Sequence, residues 1–128
     1  MTIRENLLAA IAAVSTTPDE QIDLLEFESH CGTVHCTLGL LCTLPRFIEQ
    51  GLTLGKTRRG AAIPKLPGVE DAFSDTWNDG LNKLFGADAY ARLFERSGGG
   101  LWDAEMNEPS DDKALAITRL NKQLGLYP

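Results

Sequence analysis

The segment from Leu38 to Leu44 is the longest apolar run in the chain, and it restricts how the rest can fold. Thr33 can cap a helix that runs through Leu44, with apolar residues on nearly all of its sides. A helix without a polar face belongs in the interior of a domain. The run is also far shorter than the ~20 residues that a membrane span needs. The sequence therefore predicts an interior helix and no membrane contact.

Capping signals place two helices before this segment. Thr2 and Glu5 have the spacing of a capping box, so a first helix is predicted over residues 3–14. Pro18 suits the first position of a helix, and a second helix, short and acidic, is predicted from Pro18 to Phe27.

After the interior helix, residues 52–63 predict a small β-hairpin with a basic tip. Apolar residues from Val69 to Phe85 recur every three or four positions, which predicts a helix that Gly86 ends. Further helices are predicted over residues 87–95 and from a Ser110 cap to Leu124. The expected fold is mainly α, a compact orthogonal bundle of about five to six helices in a single domain, residues 1–128, with that hairpin.

Charge and cysteine content narrow the class of protein. The 128 residues carry a formal net charge of −6, with a sequence pI near 4.8. General nucleic-acid binding requires concentrated lysine and arginine, so this acidity argues against it. Three cysteines cannot all pair within one chain, which favours a reducing compartment. We therefore expect a cytoplasmic protein.

The segment 30–36 holds both histidines and two of the three cysteines. Cys31 and His35, at i and i+4 of a helix, could chelate a metal ion, but Cys36 would then point about 100° away. Alternatively, Cys36 could be a thiol nucleophile in the first turn of a helix. The favoured interpretation is structural, because small side chains let a buried helix pack closely. No cofactor is predicted.

Two groups of residues are candidate partner contacts. Tryptophan and methionine are favoured at protein interfaces, and both occur in a long acidic loop. The alternatives are that the tryptophan fills the core and that the basic hairpin tip is merely solvated. The candidate contact residues are Leu101, Trp102, Asp103, Glu105 and Met106 in the loop and Lys56, Arg58 and Arg59 in the hairpin.

The chain resembles a family of small proteins from bacteria and their phages that share a Cys-Gly-Thr-x-x-Cys-x-x-Gly motif. Here the motif is Cys31-Gly32-Thr33-Val34-His35-Cys36-Thr37-Leu38-Gly39, followed by Leu84-Phe85-Gly86 and Ala91-Arg92-Leu93-Phe94. The resemblance covers most of the chain and implies a helical fold and a bacterial or phage origin. It implies no particular reaction.

The sequence favours a binding role over an enzymatic one. It predicts a small acidic protein-binding module, encoded by a phage and acting as an inhibitor or modulator of a host protein or defence complex. The alternatives are a metal- or thiol-dependent activity centred on residues 30–36 and a structural component of a virion.

Overall fold

Most of the residues that the structure describes are helical. The computed structural model describes residues 2–22, 36–56, 62–69, 71, 74–94 and 111–128. In chain order, the elements are α1 (Ile3–Thr16), a 3-10 helix (Asp19–Gln21), α2 (Thr37–Leu41), α3 (Pro45–Glu49), β1 (Thr53–Lys56), β2 (Ala62–Lys65), α4 (Asp75–Phe85), a π-helical turn (Tyr90–Phe94) and α5 (Asp112–Leu124). The predicted mainly α class with a small hairpin is confirmed. No helix in the described ranges is both long and apolar enough to cross a membrane.

The capping box at the start of α1 is confirmed. The Thr2 hydroxyl accepts a hydrogen bond from the Glu5 N–H at 3.0 Å, and the Glu5 carboxylate accepts one from the Thr2 N–H at 2.9 Å. That second bond is the main reason why the pKa of Glu5 lies below its usual value. The helix runs to Thr16, two residues beyond the predicted end, and buries Leu7, Ala10 and Val14.

The interior helix is buried, but its predicted ends were wrong. Cys36 caps α2, and the helix stops at Leu41 instead of continuing through Leu44. Leu44 is extended, with φ −92° and ψ 133°, because the residue before a proline avoids helical backbone. Pro45 then begins α3, where its missing N–H costs little because the first N–H groups of a helix have no acceptor within the helix. Thr33, the predicted cap, lies outside the described residues.

Three other helix boundaries also differ from the predictions. Where a helix is predicted from Pro18, the structure has a single 3-10 turn, and the next residue, Ile22, is already extended; the rest of that prediction lies outside the described residues. The helix predicted from Val69 begins only at Asp75, because Val69 instead forms a β-bridge with Leu66. The last helix is capped by Asp111, whose carboxylate accepts a hydrogen bond from the Ala114 N–H at 3.0 Å.

The two strands form an antiparallel hairpin with a register of Thr53 opposite Lys65 and Leu54 opposite Pro64. Trp77, from α4, is buried and donates a hydrogen bond from its indole Nε1 to the Pro64 carbonyl at 3.1 Å. Because a buried indole N–H needs an acceptor, this bond fixes the hairpin against α4.

Helices α1 to α5 and the π-helical turn enclose the core. α1 packs against α5, α4 and α2, and α5 also contacts the turn. Buried aromatic rings join these elements: the Phe47 and Phe85 centroids lie 5.4 Å apart, and those of Phe85 and Phe94 lie 5.2 Å apart. These spacings are typical of favourable aromatic pairs.

The carboxyl end of α4 points into this core, where its last carbonyl groups need hydrogen-bond donors. Two buried amide side chains supply them. Asn6 Nδ2 donates to the Leu84 carbonyl at 3.0 Å, while Gln123 Nε2 donates to the carbonyls of Phe85 at 3.2 Å and Ala87 at 2.9 Å. One donor comes from α1 and the other from α5, so the end of α4 ties the three helices together.

Candidate functional site

Only one residue of the predicted metal or thiol centre lies within the described structure. Cys36 is 2% exposed, and its Sγ accepts a hydrogen bond from the Gly39 N–H at 3.3 Å. It therefore caps α2, which corrects the expectation that it lies in the first turn of a helix. Cys31 and His35 lie outside the described residues. Within the described ranges, no three side chains among histidine, cysteine, aspartate and glutamate are grouped so that they could hold a metal ion.

Cys42 is a second buried thiol, located just after α2. Burial raises the pKa of Cys42 well above its usual value, and the nearby Cys36 adds to the shift. A thiol nucleophile reacts as the thiolate, which a raised pKa disfavours at neutral pH. The surroundings of Cys42 are therefore those of a packing residue.

We expect Cys42 to react with dithiobis(nitrobenzoic acid) at least about 100-fold more slowly in the folded protein than after unfolding, because it is both protonated and enclosed. Labelling at pH 8, followed by peptide mass spectrometry, would assign the modification to individual cysteines. The control is the same labelling in guanidinium chloride. Equal rates in the two states would contradict the structural role.

The predicted partner-contact residues are mostly outside the described structure. The whole loop group, from Leu101 to Met106, lies there, as do Arg58 and Arg59. Lys56 is described, and it is exposed at the end of β1. The predicted contact between loop and partner therefore stays a prediction.

The structure forms a cleft that the sequence did not predict. It has a volume of about 340 Å³, opens to solvent, and lies between the end of α3, the turn after β2 and one face of α4. Its lining residues are Gln50, Leu66, Pro67, Val69, Thr76, Asp79, Gly80, Lys83 and Leu84. This volume lies at the lower end of the range that is usual for ligand-binding clefts.

Close packing between α4 and the turn after β2 shapes the floor of this cleft. A Cβ atom on Gly80 would lie 2.5 Å from Leu66 Cδ1, so a larger residue there would push Leu66 away. Glycine inside a helix costs roughly 1 kcal/mol relative to alanine. That cost is consistent with a requirement for this close approach, and Gly80 is the one sequence signal that could have revealed the cleft.

A partly buried polar network holds one wall of the cleft in place. Gln50 and Asn6 exchange two hydrogen bonds between their side-chain amides. Gln50 Nε2 donates to Asn6 Oδ1 at 2.9 Å, and Asn6 Nδ2 donates to Gln50 Oε1 at 3.0 Å. Arg46 Nε donates to the same Asn6 oxygen at 3.1 Å. Because both ends of the Gln50 amide are bonded, its side chain has little freedom to rotate.

The cleft combines apolar and polar lining groups. Leu84 is buried, and Leu66 and Val69 are half-buried, so the floor is apolar. Thr76, Asp79 and Lys83 are exposed at the rim, which therefore offers a hydroxyl, a negative charge and a positive charge. An apolar floor with a polar rim matches the general anatomy of protein interfaces.

Comparison with known proteins identifies no relative from which a function could be inferred. No protein-family model, curated protein or solved structure matches the chain.

Proposed function

We propose that this chain is a small non-enzymatic protein-binding module that holds a segment of its partner in the cleft beside α4. The observation that carries the proposal is the cleft itself, which has an apolar floor inside a charged rim. Such a site can bury an apolar side chain of the partner while its rim pairs with polar groups around it.

A polypeptide fits the composition of the rim better than a simple ion does. Asp79 and Lys83 stand one helical turn apart on α4 and carry opposite charges. Peptide groups present both a donor and an acceptor, so they can use both kinds of rim group at once. The rigid wall formed by Gln50 favours binding because little side-chain entropy is lost when a partner docks.

Several features of the proposal come from the sequence. The partner is proposed to be a host protein or complex, and the chain a phage-encoded inhibitor that acts in the cytoplasm. The orthogonal arrangement of the helices is proposed to present the contacts on one rigid body. The additional contacts proposed are Leu101, Trp102, Asp103, Glu105, Met106, Lys56, Arg58 and Arg59.

Selection from a random dodecapeptide display library tests the binding role and does not require that the partner be identified first. Thr76→Trp should fill the mouth of the cleft and weaken the selected peptides at least about tenfold, because the bulky ring excludes them. Titrations with labelled peptides would measure the change in Kd.

The matched control is Asp75→Trp, which adds the same bulk at the neighbouring exposed position, about 100° away around α4. Asp75 does not line the cleft, so we expect its substitution to change Kd by less than about twofold. If no peptide is selected, or if Thr76→Trp binds the selected peptides as tightly as the native chain does, the cleft is not the binding site that we propose.

A further inference from the structure

The two outer edges of the β-hairpin differ in their ability to bind another strand. On the β2 edge, Pro64 has no N–H to donate. Its carbonyl is already occupied by Trp77 Nε1 at 3.1 Å. The β2 edge is therefore closed by a proline and by an indole ring, two common ways of protecting an edge strand.

The β1 edge is open in the sense that, among the described residues, no other strand pairs with it. Because Pro64 cannot donate, its pairing with Leu54 must be one of the non-hydrogen-bonded positions of the antiparallel ladder. The N–H and carbonyl of Leu54 therefore point away from β2, toward the outside of the hairpin. Neither group makes a backbone hydrogen bond outside the hairpin within the ranges that the structure describes. An exposed pair of this kind can bond to an added strand.

Positive charge is concentrated in the sequence of the hairpin, where Lys56 and Lys65 lie on the described strands and Arg58 and Arg59 fall outside the described residues. Residues 52–69 contain four basic residues and no acidic one, although the net charge of the whole chain is −6. The side chain of Lys65 crosses over Gly55 on β1, where a Cβ atom would lie only 2.6 Å from Lys65 Cε. Glycine at position 55 thus lets a lysine of β2 extend over β1, so that its charge lies near the open edge.

We propose that the outer edge of β1 binds an extended, acidic segment of a partner protein by strand addition. This inference rests on the proposed protein-binding function and names the chemistry of the partner segment. A second copy of the chain fits less well, because pairing two β1 edges would bring two basic hairpins side by side. A nucleic acid would use the charge but not the backbone N–H and carbonyl of Leu54.

Leu54→Pro tests the edge directly, because it removes the outward N–H and leaves the hydrogen bonds between β1 and β2 intact. Leu54→Ala is the matched control, since it removes the side chain and keeps the N–H. From the dodecapeptide library, the native chain should select peptides enriched in aspartate and glutamate. Leu54→Pro should weaken them at least about tenfold and Leu54→Ala less than about twofold.

Two further measurements keep the test decisive if Leu54→Pro does not fold. Lys65→Gln keeps most of the stem over Gly55 and should weaken acidic peptides by about three- to tenfold, an effect that added salt reduces. In the native chain, hydrogen exchange at the Leu54 amide should slow when a selected peptide is added, because the added strand protects it.

Several outcomes would overturn the inference. These are neutral peptides binding as tightly as acidic ones, no protection of the Leu54 amide, or acidic peptides that all bind Thr76→Trp weakly and a folded Leu54→Pro as tightly as the native chain. The last result would leave the cleft proposal standing, whereas a library without any binder would remove both. Binding of an oligothymidylate in place of acidic peptides would indicate a nucleic-acid site. Concentration-dependent dimerisation that Leu54→Pro abolishes would indicate a second copy.

Discussion

Replacing Asn6 with alanine should lower the free energy of unfolding by about 3 kcal/mol, because several buried or half-buried polar groups lose their partner together. The Asn6 amide makes four hydrogen bonds, with Leu84, Arg46 and both ends of the Gln50 amide. Those four bonds use its full capacity of two donors and two acceptor positions. A loss of this size is a large part of the free energy of unfolding of a whole domain, which is typically about 5–15 kcal/mol.

Asn121→Ala is the matched control for this prediction. Asn121 is exposed on α5, and among the described residues its side chain donates to the Ile117 carbonyl of its own helix at 3.0 Å. Its replacement should change stability by less than about 0.5 kcal/mol. Urea unfolding, followed by tryptophan fluorescence, would compare the two variants. Equal losses would mean that the Asn6 network contributes little beyond an ordinary helical asparagine.

The hydrogen bonds of Asn6 affect both the stability of the fold and the proposed function. Gln50 lines the cleft, and its orientation depends on Asn6. If Asn6 is replaced, Gln50 gains freedom, so the cleft loses one of its fixed walls. We therefore expect stability and peptide affinity to fall together in this variant.

Local signals in the sequence were sufficient for the class of fold and for several helix ends. Thr2 and Glu5 predicted the start of α1, and Gly86 predicted the end of α4. A capping residue and a terminating glycine contact only residues a few positions away, so their effects can be inferred from the neighbouring residues in the sequence. The hairpin near residues 52–63 was predicted for the same reason.

The wrong boundaries arose where two signals of similar strength compete. Ser110 and Asp111 can both cap a helix; the carboxylate of Asp111 accepts the capping hydrogen bond, and Ser110 lies outside the described residues. Cysteine is not a usual cap, so nothing pointed to Cys36. Val69 fits the apolar period of α4, yet its backbone pairs with Leu66 in a bridge outside the helix.

The candidate site could not be predicted because its parts are distant in the chain. The cleft combines the end of α3, the turn after β2 and one face of α4. Asn6 reaches Gln50 across 44 positions and Leu84 across 78 positions. No periodicity or local motif encodes such pairings, since they follow from how the helices pack. Even the glycine that shapes the cleft floor is ambiguous in sequence, because a helical glycine has several explanations.

Gly86→Ala should lower the free energy of unfolding by about 4 kcal/mol, because it combines backbone strain with a steric conflict. Gly86 has φ 98° and ψ −174°, a conformation that is essentially restricted to glycine. A Cβ atom there would also lie 2.5 Å from the ring of Tyr127. The Tyr127 hydroxyl accepts a hydrogen bond from the Ala87 N–H at 2.7 Å, and moving the ring would break it.

Gly68→Ala tests a positive φ without a steric conflict. Gly68 also has a positive φ, +71°, but a Cβ atom there would meet nothing within 4 Å. It should therefore show the backbone cost alone, about 1 kcal/mol. Placing Gly86→Ala in a Tyr127→Ala background removes the steric conflict and so separates it from the backbone strain at Gly86 itself. If the loss caused by Gly86→Ala is the same in both backgrounds, Tyr127 does not contribute. A smaller loss without the tyrosine would show that the end of α4 is shaped by a side chain distant in the sequence as well as by its own backbone.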